Sequence, residues 1–161
     1  MIRQLLRGIP VGVLAATMAA CSPAQTTAPA AAAPAPPPPI AAAVIEQHVQ
    51  DMVAALAAGD TAKAGSMYAA DATFVNARGK FDTQTGIQAF WTEAVKSGAG
   101  KGLTLETVKS GASGELAYTV SRFTGGITAT SGYTVAISER QPDGSIKVIV
   151  QVSIPDPPAT K

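Results

Sequence analysis

AGDTAKAGSMYAADAT, residues 58–73 of the chain, contains two helix boundaries within a few residues. Gly59 can adopt the left-handed backbone conformation that commonly ends a helix, because glycine has no Cβ atom. Asp60 follows it, and an aspartate in this place accepts hydrogen bonds from the first free amides of the next helix. The segment therefore predicts a helix that ends near Ala58, a sharp turn, and a short second helix that continues to about Tyr68.

Apolar residues on both sides of this segment extend the helical pattern. Upstream, they recur at intervals of three and four over residues 42–58, as on one face of a helix. Downstream, a short strand is predicted at 72–77, and Thr85 with Gln88 three residues later forms a capping-box pattern. The third helix that follows has an apolar face made of Ile87, Phe90, Trp91, Ala94 and Val95.

The second half of the chain is typical of an antiparallel sheet. Four stretches rich in β-branched or aromatic residues, at 103–109, 116–123, 133–140 and 146–154, are separated by turns that contain glycine. Three helices, one strand and this series of strands predict an α+β domain whose helices pack on one face of a curved sheet.

Several short motifs occur in a distinctive order: Ala58-Gly59-Asp60, then Met67 to Thr73, then Gly86-Ile87 with Phe90-Trp91, and finally the turn Asp143-Gly144. In order and spacing they resemble the nuclear transport factor 2-like superfamily, which includes SnoaL-like and ketosteroid isomerase-like domains. The resemblance covers about residues 44–154. It implies a cone in which the helices close the concave side of the sheet around an apolar pocket. Enzymes, binding domains and assembly modules all use this fold, so the fold alone implies no activity.

The resemblance allows the isomerase active site to be compared residue by residue. The general-base carboxylate of the isomerases corresponds to Asn76, their hydrogen-bonding tyrosine to Met52, and their protonated aspartate to Ala136. Asn76 cannot act as a general base, and the other two side chains cannot donate to a developing oxyanion, so isomerase chemistry is not expected here. His48, the only histidine, is predicted on the solvent face of the first helix. Neither a metal site nor a cofactor is predicted.

The resemblance also implies a candidate ligand pocket on the concave face of the sheet. Its predicted lining residues are Met52, Phe74, Asn76, Trp91, Tyr118, Arg122 and Gln151. Tyr118 and Arg122 are included because they share one face of their strand, which is taken as the concave face. Arg122 could pair with a ligand carboxylate or simply lie at the solvent rim. The alternative is that the aromatic side chains only fill the core.

The last predicted strand carries an unbroken apolar stripe made of Ile146, Val148, Val150, Val152 and Ile154. If Gln151 faces the pocket, the stripe lies on the outer face of the sheet and predicts an interface, such as that of a homodimer. If the strand is turned over, the stripe is ordinary core.

The first 39 residues differ in composition from the rest. Residues 1–20 combine two arginines, a short apolar stretch and small residues, which is typical of a secretory signal peptide. Met18-Ala19-Ala20-Cys21 resembles a lipobox, which implies lipidation of Cys21; an ordinary signal peptide with a stray cysteine is the alternative. Residues 21–39 have no large apolar side chain and predict an extended, proline-rich tether. A single domain is then expected over residues 40–158.

Together these features predict a bacterial cell-envelope lipoprotein that is anchored through Cys21, preferably to the outer membrane, and faces the periplasm. The formal net charge is only +1, so nucleic acid is not an expected partner. The expected function is a non-catalytic module that binds a small apolar or acidic molecule, or another protein. An isomerase or cyclase with a displaced active site is the alternative, and an ionisable group in the pocket would favour it.

Overall fold

The computed structural model describes residues 37–126 and 131–157. The predicted signal peptide, Cys21 and most of the predicted tether lie outside the described residues. Within them, the helices are α1 (Ala42–Ala57), α2 (Thr61–Ser66) and α3 (Gln84–Lys96), and the strands are β1 (Tyr68–Asn76), β2 (Gly79–Asp82), β3 (Thr104–Ser113), β4 (Leu116–Thr124), β5 (Ser131–Arg140) and β6 (Ile146–Pro155). No helix in this part of the chain is both long enough and apolar enough to cross a membrane.

The strands form one sheet in the order β2-β1-β6-β5-β4-β3. Neighbouring strands are antiparallel except for β1 and β6, which run parallel. The helices pack on the concave face, where Leu56, Tyr68, Phe74 and Ile87 are almost completely buried. The predicted α+β fold, with helices on one face of a curved and mainly antiparallel sheet, is confirmed.

The turn between α1 and α2 has the predicted structure. Gly59 has a φ of 75°, and the amide of Asp60 donates to the carbonyl of Ala55 at 2.9 Å, which closes the end of α1. The carboxylate of Asp60 accepts from the amide of Lys63 at 2.9 Å and so caps α2. One glycine and one aspartate thus define where the first helix ends and the second begins.

Two helix boundaries differ from the prediction because contacts with the sheet override the local pattern. The second helix ends at Ser66, and Tyr68 begins β1 because the adjoining Met67 carbonyl already accepts from the amide of Val148 in β6 at 2.9 Å. The third helix is capped by Thr83, whose hydroxyl accepts from the amide of Gly86 at 3.2 Å, and not by Thr85. The short strand β2 is not predicted at all.

The last strand changes face part-way along its length. β5 pairs with Val148 and next with Val150, which leaves Ile149 as an extra residue in a β-bulge. Val148 is buried beneath the helices, whereas Val150 is 37% exposed on the outer face. The apolar stripe is therefore core at Val148, before the bulge, and part of the outer face after it. The outer face receives Val150, Val152 and Ile154.

The described chain is attached to the domain from its first residues. Ile40 is buried in a small cluster with Ile45 and Ala117, at the end of the sheet where β4 begins. The guanidinium of Arg140 also donates to the carbonyl of Pro38 at 3.1 Å. Residues 38 and 40 therefore contact the domain directly.

Candidate functional site

A cavity of about 120 Å³ opens between the helices and the concave face of the sheet, at the end of the domain where β1 and β6 finish. We refer to it as the aromatic cavity. Most of its wall is apolar and includes Met52, Phe74, Phe90, Trp91, Leu105 and Phe123. An engineered apolar cavity of about 150 Å³ in another protein holds benzene, so this one has space for about one ring.

The aromatic side chains of the wall support one another. The rings of Phe74 and Trp91 are stacked, with centroids 5.6 Å apart and planes only 13° apart. Phe90 packs edge-on against both of them, at 5.3 and 5.0 Å. Contacts of this kind hold the rings in place before any ligand arrives.

A chain of neutral hydrogen bonds crosses the floor of the aromatic cavity. The indole of Trp91 donates to the hydroxyl of Tyr68 at 3.3 Å, and this hydroxyl donates to the side-chain carbonyl of Gln151 at 2.7 Å. The amide nitrogen of Gln151 and the hydroxyl of Ser153 both donate to the hydroxyl of Thr134, at 3.2 and 2.9 Å. Burial raises the pKa of the Tyr68 hydroxyl, so it stays protonated. The network fixes Gln151 and carries no charge.

Arg78 lies at the open end of the aromatic cavity and is the one cation among the described residues that line it. Its guanidinium lies 5.8 Å from the ring centre of Phe90, and its backbone amide donates to the side chain of Asn76 at 2.8 Å. Among the described residues, no aspartate or glutamate lines this cavity. Arg78 is not among the predicted lining residues, because it lies in the turn between β1 and β2 and not on a strand. Its position two residues after Asn76, which aligns with an active-site residue of the isomerases, is the sequence signal that could have identified it.

Five of the predicted lining residues lie on the wall of the aromatic cavity: Met52, Phe74, Asn76, Trp91 and Gln151. The prediction that Tyr118 and Arg122 also line it is wrong. Register with β5 turns the other face of β4 inward, so that Thr119 and Ser121 are buried, whereas Tyr118 is 37% exposed.

Arg122 instead joins the ends of three strands on the outer face. Its guanidinium donates to both carboxylate oxygens of Asp156, at 2.8 and 2.5 Å, and lies 4.7 Å from the ring centre of Tyr133. Ser131 also donates to Asp156, at 2.5 Å. The hydrogen bonds from Arg122 and Ser131 lower the pKa of Asp156 to about 2. This arginine is therefore already paired within the fold.

A second, smaller cavity of about 40 Å³ lies under α1, and we refer to it as the inner cavity. It shares Met52, Leu105, Thr134 and Gln151 with the aromatic cavity. The prediction that His48 lies on the solvent face is wrong, because His48 lines the inner cavity. Its Nε2 is buried and has no hydrogen-bond partner among the described residues. Burial lowers the pKa of this imidazole, nearby Lys147 lowers it further, and Asp51 opposes the change.

Comparison with known proteins agrees with this architecture. A family model described as the SnoaL-like domain matches residues 49–145. The chain belongs to the SnoaL-like domain family. None of the curated proteins compared with the sequence matches it.

Solved structures with the same fold are distant in sequence from this SnoaL-like domain. A domain of unknown function with a cystatin-like fold from Nostoc punctiforme PCC 73102 has a TM-score of 0.61 and 16% identity, over 72% of this chain and 77% of its own. A ketosteroid isomerase-like protein from Erwinia carotovora atroseptica SCRI1043 has a TM-score of 0.60 and 15% identity, over 72% and 96%. An NTF2-like protein of unknown function from Pseudomonas putida KT2440 has 0.56 and 20%, over 70% and 84%. These similarities show the fold alone.

The positions aligned with the isomerase active site carry no acid or base in this SnoaL-like domain. Asn76 and Met52 lie on the wall of the aromatic cavity, and Ala136 lies on that of the inner cavity. Across the part of the chain that the structure describes, no three histidine, cysteine or acidic side chains are grouped to hold a metal ion. Among the described residues that line these cavities, His48 is the ionisable side chain with a buried, unpaired nitrogen.

Proposed function

We propose that this SnoaL-like domain binds small molecules that join an aromatic or other apolar ring to a carboxylate, and that it does not transform them. The observation that carries the proposal is an aromatic cavity of about 120 Å³ with Arg78 at its open end. The typical small-molecule site is a largely preformed apolar cleft with a few well-placed polar groups, and this cavity has the same make-up.

The aromatic wall favours a flat, apolar ligand. Trp91 and Phe74 present ring faces that already pack against each other, so a further ring can stack without a large rearrangement. Each aromatic contact of this kind contributes about 0.5–1.5 kcal/mol beyond the area that it buries. The volume limits the ligand to about one ring with a short substituent.

Arg78 favours an acid over a neutral molecule. Its guanidinium has no carboxylate partner among the described residues, and a planar guanidinium binds a carboxylate through two parallel hydrogen bonds. Because Arg78 is exposed to solvent, we expect a modest rather than a large contribution.

A pair of matched probes tests this proposal. Phenylacetate and phenylacetamide have nearly the same shape, and calorimetric titration should show that the acid binds roughly three- to tenfold tighter, the equivalent of about 1 kcal/mol. Arg78→Gln should remove the difference. Lys80→Gln is the control, because Lys80 lies two residues away and pairs with Asp82 at 3.0 Å. Equal binding of both probes to the unmodified protein would refute the role of Arg78.

The alternative function, an isomerase or cyclase with a displaced active site, is favoured by one observation. His48 places an ionisable group in the inner cavity, next to the aromatic cavity. The distinguishing assay is conversion of a β,γ-unsaturated ketosteroid by the purified protein. We expect no turnover above background, and turnover that is lost in His48→Gln would establish the alternative instead.

We also propose that Cys21 carries lipid and anchors the domain in the bacterial cell envelope, facing the periplasm and preferably on the outer membrane. Met18-Ala19-Ala20-Cys21, followed by Ser22 and a proline-rich segment, supports this proposal. Labelling of cells with a fatty-acid probe should mark the unmodified protein and should not mark Cys21→Ala. Absence of label from both proteins would contradict lipidation.

A second copy of this chain is the partner that we propose for the outer face of the sheet. Apolar side chains of β4, β5 and β6 are adjacent there, and we call them the outer patch: Tyr118, Val120, Tyr133, Val135, Ile137, Val150, Val152 and Ile154. Beside it, Arg122 and Arg140 are already paired with Asp156 and Glu115, at 2.5 and 3.3 Å. Because these two arginines already have partners within the fold and the patch itself is apolar, an identical apolar surface suits it better than a strongly charged partner does.

A further inference from the structure

Several polar side chains line the inner cavity. Thr119, Ser121 and Ser138 belong to buried positions on the concave face of β4 and β5, and all three line this cavity. A fourth hydroxyl residue of the wall, Thr134, already takes part in the hydrogen-bond network on the floor of the aromatic cavity. The other three hydroxyl residues therefore line the cavity that a ligand group would enter.

His48 adds a fourth polar group from the opposite wall. Its Nε2 is buried and has no hydrogen-bond partner among the described residues. Buried polar atoms in folded proteins are nearly always hydrogen-bonded, to protein, to water or to a ligand. A buried, unpaired nitrogen in a cavity lined by hydroxyl residues therefore indicates that water or a ligand group completes its hydrogen bonding.

Size and position define what that group can be. The inner cavity has a volume of about 40 Å³, which is room for a water molecule or a hydroxyl group but not for a ring. Met52 and Leu105 belong to the walls of both cavities. Methionine has a flexible side chain, so a small substituent on a ring in the aromatic cavity can pass into the inner cavity.

The charges that face His48 argue for an uncharged group. Lys147 approaches from β6 and Asp51 from α1, while the walls formed by β4 and β5 contribute hydroxyl and apolar side chains. Burial lowers the pKa of His48, so its imidazole is neutral near neutral pH. A neutral imidazole beside hydroxyls can donate to and accept from an alcohol or a phenol, and offers no counter-charge to an ion.

We propose that the inner cavity is a subsite for a hydroxyl group, carried on the ring of the ligand at the end opposite its carboxylate. The ligand class then becomes hydroxylated aromatic acids, with the ring in the aromatic cavity and the carboxylate at Arg78. This inference rests on the proposed function, because it needs a ring in the aromatic cavity.

Two probes of equal size test the subsite. 4-Hydroxyphenylacetate and 4-methylphenylacetate differ only in whether the group opposite the carboxylate can form hydrogen bonds. In calorimetric titration, we expect the hydroxyl probe to bind about fivefold tighter or more, as one satisfied buried hydrogen bond predicts. His48 is the only histidine, so its imidazole ¹⁵N resonances can be assigned directly. They should shift with the hydroxyl probe and much less with the methyl probe.

Variants complete the design. His48→Phe and Ser121→Ala should each abolish the preference for the hydroxyl probe while 4-methylphenylacetate still binds. Ser113→Ala, at the exposed end of β3, is the matched control. If both probes bind equally and the His48 resonances do not distinguish them, the subsite is wrong and the proposed function stands. If neither probe binds, the proposed function itself is wrong.

Discussion

Two neighbouring glycines in the turn after α3 have very different surroundings. Both have a positive φ, 91° at Gly98 and 97° at Gly100. A methyl group at Gly98 would meet open space, whereas one at Gly100 would overlap the backbone carbonyl of Leu56 at the end of α1. Gly100 is therefore required both for its backbone conformation and for the close approach of the turn to α1.

Alanine substitutions separate these two requirements. Gly98→Ala should lower the free energy of unfolding by about 1–2 kcal/mol, because only the backbone conformation is unfavourable. Gly100→Ala should cost about 3 kcal/mol or more, because the backbone of Leu56 must also move. Urea unfolding of the two variants measures the difference. Equal losses of unfolding free energy in the two variants would show that a methyl group at Gly100 does not overlap the carbonyl of Leu56.

His48 should make stability depend on pH in a defined direction. In the unfolded chain the imidazole binds a proton near its ordinary pKa of about 6.5. In the folded protein burial lowers this pKa, so between the two values the unfolded state holds more protons. The contribution of neutral His48 to stability is thus complete above about pH 6.5 and is lost as the pH falls below it.

Urea unfolding at a series of pH values tests this effect. Between pH 7 and 5, the free energy of unfolding should fall more steeply for the unmodified protein than for His48→Gln. Carboxylates are present in both proteins and cancel in the comparison. Parallel curves would mean that His48 is exposed, as the sequence pattern had predicted.

At the scale of the strands, the Arg122–Asp156 pair links the end of β4 to the residue that follows β6. Ser131, the first residue of β5, donates to the same carboxylate and so links the third strand. Arg122→Met should lower the thermal melting temperature. Lys96→Met is the control, because Lys96 and Glu93 form an exposed pair on one helix that contributes little. A loss no greater than in the control would mean that the pair does not stabilise the sheet.

The same pair has its own dependence on pH. The pKa of Asp156 is lowered to about 2, so its contribution to stability is present above the ordinary aspartate pKa of about 4. It is lost as the pH falls through the folded value. The difference in melting temperature between the unmodified protein and Arg122→Met should therefore shrink as the pH falls from 5 towards 2, and also as salt is added.

The strands also show how far local pattern predicts this structure. Helix periods, the Gly59 turn and the succession of the last four strands follow from spacing and turn residues. The cavity positions of Phe74, Trp91 and Gln151 follow from the family resemblance. Alternation in β4 identifies residues that share a face but cannot say which face is buried, so Tyr118 and Arg122 were assigned to the wrong side. The bulge at Ile149 breaks alternation altogether, because it is created by pairing with β5.

Helix faces are subject to the same limit. His48 lies beside the apolar stripe of α1, and its polarity predicts solvent exposure. The helix is nevertheless rotated so that the imidazole lines the inner cavity, above the hydroxyls of β4 and β5. The polar surroundings of His48 are evident only once α1 is packed on the sheet. The inner cavity could not be predicted from sequence for this reason.

At the scale of the whole molecule, the outer patch should hold two copies together. Val135 lies at its centre, paired with Val120 and Val152, and is 40% exposed in the single chain. Val135→Lys should convert a dimer into a folded monomer, as measured by light scattering after size-exclusion chromatography. Val44→Lys changes a valine on α1 that is 46% exposed and should leave the dimer intact. A monomeric unmodified protein at high concentration would contradict the proposed dimer.

Occupation of the aromatic cavity is the central claim, and Trp91 can report it directly. It is the only tryptophan in the chain and lies on the wall of this cavity. Titration with phenylacetate should change its fluorescence in a saturable way at about 1 mM or below, the weak end of specific binding. Arg122→Gln should leave the titration curve unchanged, because Arg122 lies on the opposite face of the sheet, whereas Arg78→Gln should weaken binding. A linear response without saturation, or a curve that depends on Arg122 and not on Arg78, would contradict the account.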